Sequence, residues 1–207
     1  MIAIIDYGVG NLRSVEKAFA YLGYPALVTS DPAIVREAEK VVLPGVGAFG
    51  KSMESLKRAG MIPVVKEVAA SGRPFLGICL GLQMLFEESA EVFGEETAKT
   101  EGLGILPGQV LRLGSGRLKV PQIGWNQIRL TKKENPLFHG VDNGSFVYFV
   151  HSYYVSPTDA GLTACTTHYE IEYCSGISKG NIHAFQFHPE KSSRVGLKIL
   201  KNFAELK

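Results

Sequence analysis

Apolar positions along the first ninety residues switch between two spacings. Solid apolar runs at "IAIID" (2–6), "PALVTS" (25–30), "KVVLP" (40–44) and "PFLGI" (74–78) have the length of strands, and their composition suits burial on both faces. The segments between them repeat at helical spacing. In "NLRSVEKAFAYLG" (11–23) the residues Leu12, Val15, Phe19 and Leu22 form one stripe, which Gly23 ends. Residues 31–39 start a second helix, with Asp31 as N-cap and Pro32 in the first turn. Two short helices are predicted over 50–59 and 61–71, broken near Gly60 and Pro63, and another over 80–90. Strands alternating with helices imply a parallel sheet wrapped on both sides.

From residue 102 the pattern changes. "GQVLRL", "SFVYFV", "LTACTTHY" and "IEYCSGISKG" are short runs without a helical stripe. They predict antiparallel strands and hairpins, added to the same sheet or packed beside it. "NIHAFQF" (181–187) is one more apolar strand, and 192–207 a closing helix with Val195, Ile199, Leu200 and Phe203 on one side. The expectation is one α/β domain over 1–207, with a mixed, mostly parallel central sheet flanked by helices.

Composition excludes more than it assigns. A net charge of +2 is too small to make nucleic acid or an anionic membrane the main partner. No apolar stretch is long enough for a membrane span, and the N-terminus lacks the features of a signal peptide. Three cysteines, Cys79, Cys165 and Cys174, are too few and too scattered for a disulfide framework. The chain is expected to be cytoplasmic, with Cys165 and Cys174 as buried, inert thiols. Neither HExxH nor CxxC occurs, so no metal site is expected, and no cofactor. Gly8-x-Gly10 invites a dinucleotide reading, but Arg13 stands where the third glycine belongs.

One cysteine is placed for chemistry. Cys79 lies between Gly77 and Gly81, where the fourth strand meets its helix. A nucleophile on such an elbow needs small residues two positions away on each side, and the helix N-terminus favours thiolate. The candidate base is His188 in "AFQFHPEKS", at the carboxyl end of the last strand, with Glu190 two residues on to orient the imidazole. From spacing alone Glu190 also suits the start of the closing helix. The loop "PGVGAFG" ends the third strand at the same rim. Its N–H groups at Val46 and Gly47, with that of Leu80, are candidates for an oxyanion hole.

The ordered set "PGVGAFG", "GICLGLQ", "HSYY" and "FHPE" resembles the class I, or triad, glutamine amidotransferases. "DYGVGNLRS", "PQIGWN" and "FQFHPEKSS" resemble, more narrowly, the family of glutaminase subunits of imidazole glycerol phosphate synthase. The resemblance implies that Cys79, His188 and Glu190 hydrolyse glutamine to glutamate and ammonia through a thioester. It implies that Gly47, Gln83, Ser152 and Tyr153 bind glutamine. It also implies a heterodimer with a cyclase subunit, a (β/α)8 barrel. That subunit takes the channelled ammonia to make imidazole glycerol phosphate and aminoimidazole carboxamide ribonucleotide in histidine biosynthesis. Asn11, Gln122, Trp125, Asn126 and Lys191 would lie at or near the partner face. Many family members carry His where Gln122 stands. The resemblance further implies that the PGVG loop turns a carbonyl into the oxyanion hole until the partner binds. Other readings stay open: an amidotransferase serving another pathway, a cysteine hydrolase working without a partner, or a binding module that has kept the fold.

Overall fold

The computed structural model describes residues 1–92, 99–114 and 116–207. The first part of the chain alternates as its spacing predicts. It runs through β1 (Ile2–Ile5), α1 (Leu12–Tyr21), β2 (Ala26–Thr29), α2 (Pro32–Glu37), β3 (Lys40–Gly45), α3 (Phe49–Arg58), α4 (Met61–Ala70), β4 (Phe75–Cys79) and α5 (Leu80–Met84). There follow β5 (Glu88–Ser89), β6 (Thr100–Glu101), β7 (Gly108–Arg112), β8 (Gln122–Gln127), β9 (Arg129–Leu130), β10 (Phe146–His151), β11 (Tyr153–Pro157), β12 (Thr163–Tyr169), β13 (Ile171–Lys179) and β14 (Ile182–Phe185). The last element is α6 (Ser193–Glu205).

The strands β2, β1, β3, β4 and β14 lie side by side in that order, all parallel. From β14 the sheet continues antiparallel through β13, β11 and β7, with β5 and β6 at the far edge. β12 and β9 branch from β13. A separate antiparallel pair, β8 and β10, forms a second small sheet. Both options foreseen for the later strands are therefore used: some extend the main sheet, and two pack beside it.

Successive side chains of a strand point to opposite faces, and β1 shows why its whole length is apolar. Ala3 and Ile5 enter a core with Val35 of α2, Leu56 of α3 and Val64 and Val68 of α4. Ile2 and Ile4 enter the opposite core with Val15 and Phe19 of α1 and Ile199 and Phe203 of α6. Val147 and Phe149 bring β10 onto that second core. Asp31 caps α2 as expected, accepting from the Ala33 N–H at 2.8 Å. That helix ends before residue 39, because the Glu39 and Lys40 N–H groups turn to the Met1 carbonyl. The break between α3 and α4 falls at Gly60, with φ +67°; Pro63 sits in the first turn of α4, where the missing N–H has no helical partner to lose.

The helix expected over 80–90 stops at Met84. The carbonyls of Met84, Leu85, Phe86 and Glu87 accept instead from Leu103, Ile105, Gly104 and Gly102, at 2.8–3.1 Å. A distant segment thus takes the acceptors that a continuing helix would need. Residues 102–180 contain two single 3-10 turns, Pro136–Phe138 and Ala160–Leu162, each capped by an Asn or Asp side chain. A third, Pro189–Lys191, precedes α6 and carries the candidate acid.

Candidate active site

Cys79 ends β4 with φ 55° and ψ −109°, a backbone region that suits glycine and strains other residues by about 1–3 kcal/mol. Its neighbours are glycines because no methyl fits. A Cβ at Gly81 would lie 1.9 Å from the Leu43 carbonyl oxygen, one at Gly77 2.8 Å from the Ala184 Cβ, and one at Gly45 2.8 Å from the Leu80 Cβ. The elbow holds α5 directly against β3 and β14.

β14 runs parallel to β4 with Phe185 beside Ile78, so the residues after it reach the rim that carries Cys79. His188 lies there, its N–H bonded to the Tyr148 carbonyl at 3.0 Å and its carbonyl accepting from Ser192 Oγ at 2.6 Å. His188 Nδ1 is 2.8 Å from Glu190 Oε1, and both side chains are buried. Burial of the ring lowers the His188 pKa, but negative charge on Cys79 and Glu190 outweighs it and raises the value to about 10. His188 Nε2 has no hydrogen-bond partner in this state. The Cys79 Sγ instead approaches the Val150 carbonyl, at 3.9 Å. Thiol and imidazole therefore open on one cavity without being bonded to each other.

That cavity, about 350 Å³, is bordered by Val46, Gly47, Cys79, Leu80, Gln83, Ser152, Tyr153 and His188. All the residues expected to form the oxyanion hole and the glutamine site thus share one space. Gln83 Nε2 donates to the Tyr153 carbonyl and to Gln186 Oε1, each at 3.0 Å. The Val46 carbonyl accepts from Ser52 Oγ at 3.4 Å.

Three residues of this site were not singled out from the sequence. Glu91 borders the cavity, with one carboxylate oxygen 2.8 Å from the Phe49 N–H at the start of α3. His151 is buried, with Nδ1 2.8 Å from the Tyr153 carbonyl and Nε2 3.1 Å from the Tyr173 hydroxyl. Burial pulls its pKa down to about 4, so the ring is neutral at pH 7, with its proton on Nδ1 facing the carbonyl. Gln186, fully buried, reaches Cys79. For His151 and Gln186 the available signal was position: His151 opens "HSYY", and Gln186 lies two residues before His188.

The residues expected near a partner divide. Trp125 is 52% exposed on β8 and packs edge-on against Tyr148, over which Lys191 Nζ sits 6.0 Å from the ring centre. Asn11 precedes α1 and borders a small void with Val46 and Glu190. Asn126 donates to the His168 carbonyl at 2.9 Å. Gln122 lies on β8 but faces away from the surface that Trp125 presents. It is 2% exposed and bonded to Tyr173 at 2.9 Å, because strand alternation turns it inward while Ile123 turns out.

Cys165 and Cys174 are buried, and burial raises both thiol pKa values, that of Cys174 to about 11. Among the described residues no cluster of His, Cys, Asp and Glu has the makings of a metal site, and no helix is long and apolar enough to cross a membrane.

Comparison with known proteins fits this geometry. Residues 3–206 match the family Glutamine amidotransferase class-I. The chain is 52% identical to the imidazole glycerol phosphate synthase subunit HisH of Syntrophotalea carbinolica, over all of both chains. It is also 52% identical to the subunit of that name from Geobacter sulfurreducens, over 100% of this chain and 99% of the relative. Among solved structures, PurLQS from Thermotoga maritima aligns with a TM-score of 0.75 at 17% identity, covering 98% of this chain and 96% of that one. A structure described as a glutamine amidotransferase aligns over the full length of both chains, with a TM-score of 0.74 at 17% identity. Those two likenesses concern the fold. The sequence matches go further: this chain belongs to the class-I glutamine amidotransferases, within the family of the imidazole glycerol phosphate synthase subunit HisH.

Proposed function

We propose that this chain is the glutaminase subunit of imidazole glycerol phosphate synthase, with Cys79 as nucleophile, His188 as acid and base, and Glu190 as the group that orients His188. The observation that carries the reading is the strained Cys79 elbow, opening on the same cavity as the buried His188–Glu190 pair. Cys79 thiolate attacks the side-chain carbonyl carbon of glutamine. The tetrahedral oxyanion is held by backbone N–H groups of Leu80 and of the Val46–Gly47 loop. Collapse breaks the C–N bond, imidazolium Nε2 gives its proton to the leaving nitrogen, and ammonia departs from a glutamyl thioester. Neutral His188 then takes a proton from water, the hydroxide adds to the thioester, and collapse releases glutamate and the thiolate. Glu190 accepts from Nδ1 throughout, which keeps Nε2 toward the reaction.

Gly47, Gln83, Ser152 and Tyr153 are assigned to substrate binding. Glu91 is added here as the acceptor for the α-ammonium group, since it borders the cavity and carries a carboxylate. Ammonia passes to a cyclase subunit, a (β/α)8 barrel, in a one-to-one complex. The face that suits this partner carries Ile123, Trp125 and Phe146, all more than half exposed, next to Lys191 at the cavity mouth. Exposed aromatics beside a cation are the composition of an interface centre. In the free subunit the loop from Pro44 to Gly47 holds the oxyanion site incomplete. Losing one donor costs about 10²–10³ in rate.

The test is glutamate release from glutamine by the chain alone, with the cyclase subunit, and with the cyclase and its nucleotide. The expected result is activity that rises by about two orders of magnitude in the last mixture and disappears in Cys79→Ala. Equal rates in all three would remove the gating and the partner; persistence in Cys79→Ala would remove the nucleophile.

A further inference from the structure

Gln186 is fully buried and takes its place from the sheet. Its N–H bonds to the Ser175 carbonyl at 2.9 Å, and it follows Phe185, which pairs with Ile78, so it stands across from Cys79. Its side chain lies between two groups of the site. Gln186 Oε1 accepts from Gln83 Nε2 at 3.0 Å, and Gln186 Nε2 points at Cys79 Sγ, 3.7 Å away.

The direction of this chain is forced by one backbone atom. The Tyr153 carbonyl oxygen can only accept, so the side of the Gln83 carboxamide 3.0 Å from it is the NH₂. The same NH₂ faces Gln186 and requires an oxygen there. Turning Gln83 over would set oxygen against oxygen, and turning Gln186 over would set NH₂ against NH₂. Gln186 is left with its N–H aimed at the sulfur.

The two contacts of the sulfur respond oppositely to ionisation. A thiol donates to the Val150 carbonyl at 3.9 Å, but a thiolate has no proton to give and meets that oxygen as a second negative end. The Gln186 N–H gains what the Val150 contact loses, since hydrogen bonds to charged acceptors are the stronger ones. We propose that Gln186 is a positioning residue for the nucleophile. It holds the Cys79 thiolate at the cavity, and through Gln83 it ties the orientation of that sulfur to the glutamine site. The inference rests on Cys79 being the nucleophile. Its chemical consequence falls on both half-reactions. The N–H steadies the thiolate before attack and again when the thioester breaks and sulfur leaves.

The test uses the full chain with Gln186→Met, which has similar length and no donor, and Gln186→Glu, which keeps the oxygen facing Gln83 but loses the N–H facing sulfur. Alkylation of Cys79 by iodoacetamide at pH 7, followed by mass spectrometry of the Cys79 peptide, reads the sulfur without needing glutamine. Both variants are expected to alkylate about tenfold more slowly, the worth of one hydrogen bond to a charged group. In the complex with the cyclase, kcat for glutamate release is expected to fall by a similar factor while KM changes less than about threefold. If Gln186→Met does not fold, Gln186→Leu, which also lacks a donor and adds no charge, decides in its place. Alkylation within about twofold of the parent chain in a folded variant would overturn the proposal. Failure of the underlying assignment reads out separately, as glutamate release that survives Cys79→Ala.

Discussion

Gly81→Ala puts the elbow under the most direct strain. The added methyl would stand 1.9 Å from the Leu43 carbonyl oxygen and 3.0 Å from its carbon, both backbone atoms in β3. Packed atoms keep about 3.5 Å between them, so α5 must move off β3 by roughly 1.5 Å. Neither side yields easily, since Leu43 is fully buried and paired with Gly77 of β4. Overpacking of this kind costs about 1–3 kcal/mol, or about 2–12 °C in Tm for a chain of this size. The functional cost is larger. Cys79 and Gln83 flank the displaced turn, and a misplacement of about 1 Å can cost about a hundredfold in rate. The control is Gly60→Ala, at φ +67° with open space around the new methyl and no place at the cavity. It pays only backbone strain, about 1–2 kcal/mol, with kcat unchanged. Thermal melts and glutamate release in the complex measure both variants. A Gly81→Ala enzyme with Tm and kcat close to the parent would refute the argument that contact, and not conformation, demands glycine there.

Asn202→Ala should strip the buried Leu137 carbonyl and the part-buried His139 carbonyl of a donor at 2.9 Å. The expected loss is about 2–3 kcal/mol, or about 4–12 °C in Tm, with glutaminase kinetics unchanged; a melt within about 2 °C of the parent would contradict it. Trp125→Ala should weaken cyclase binding about 30-fold, as removal of an interface anchor does, while Cys79 alkylates at the parent rate in a titration read by mass spectrometry. Glu190→Gln should destabilise in a pH-dependent way. His188 binds its proton more tightly folded than unfolded, so this contribution is complete below its unfolded pKa of about 6.5 and is lost as pH rises through about 10. The gap in Tm between parent and variant should therefore be widest near pH 6 and narrow toward pH 10; a gap that widens with pH would reverse the assignment.

The parallel half was legible because burial on both faces leaves its mark on every residue: β1 has no polar position to spare. Cys79 was legible for a related reason, since three close contacts turn its surroundings into glycines. What escaped was set by partners distant in the chain. Residues 80–90 carry apolar spacing that suits a helix, yet the carbonyls of 84–87 go to 102–106, and nothing local announces that. Glu91 follows this turn in a segment without periodicity, so only the fold brings it to the cavity. Gln186 looks like any polar residue in an apolar strand until the register with β4 is known. Gln122 turns inward while Ile123 turns out, and the sequence alone does not say which way a two-strand sheet faces.

Trp125 is the only tryptophan of the chain, and half of it is exposed on the face assigned to the partner. Indole emission shifts to shorter wavelength when water leaves the ring. The molecule thus carries one intrinsic optical reporter at its proposed docking centre, against the Tyr148 ring that Lys191 covers. Assembly becomes visible as a difference spectrum, with no dye attached and no residue changed. The same sample can report docking by light and catalysis by product.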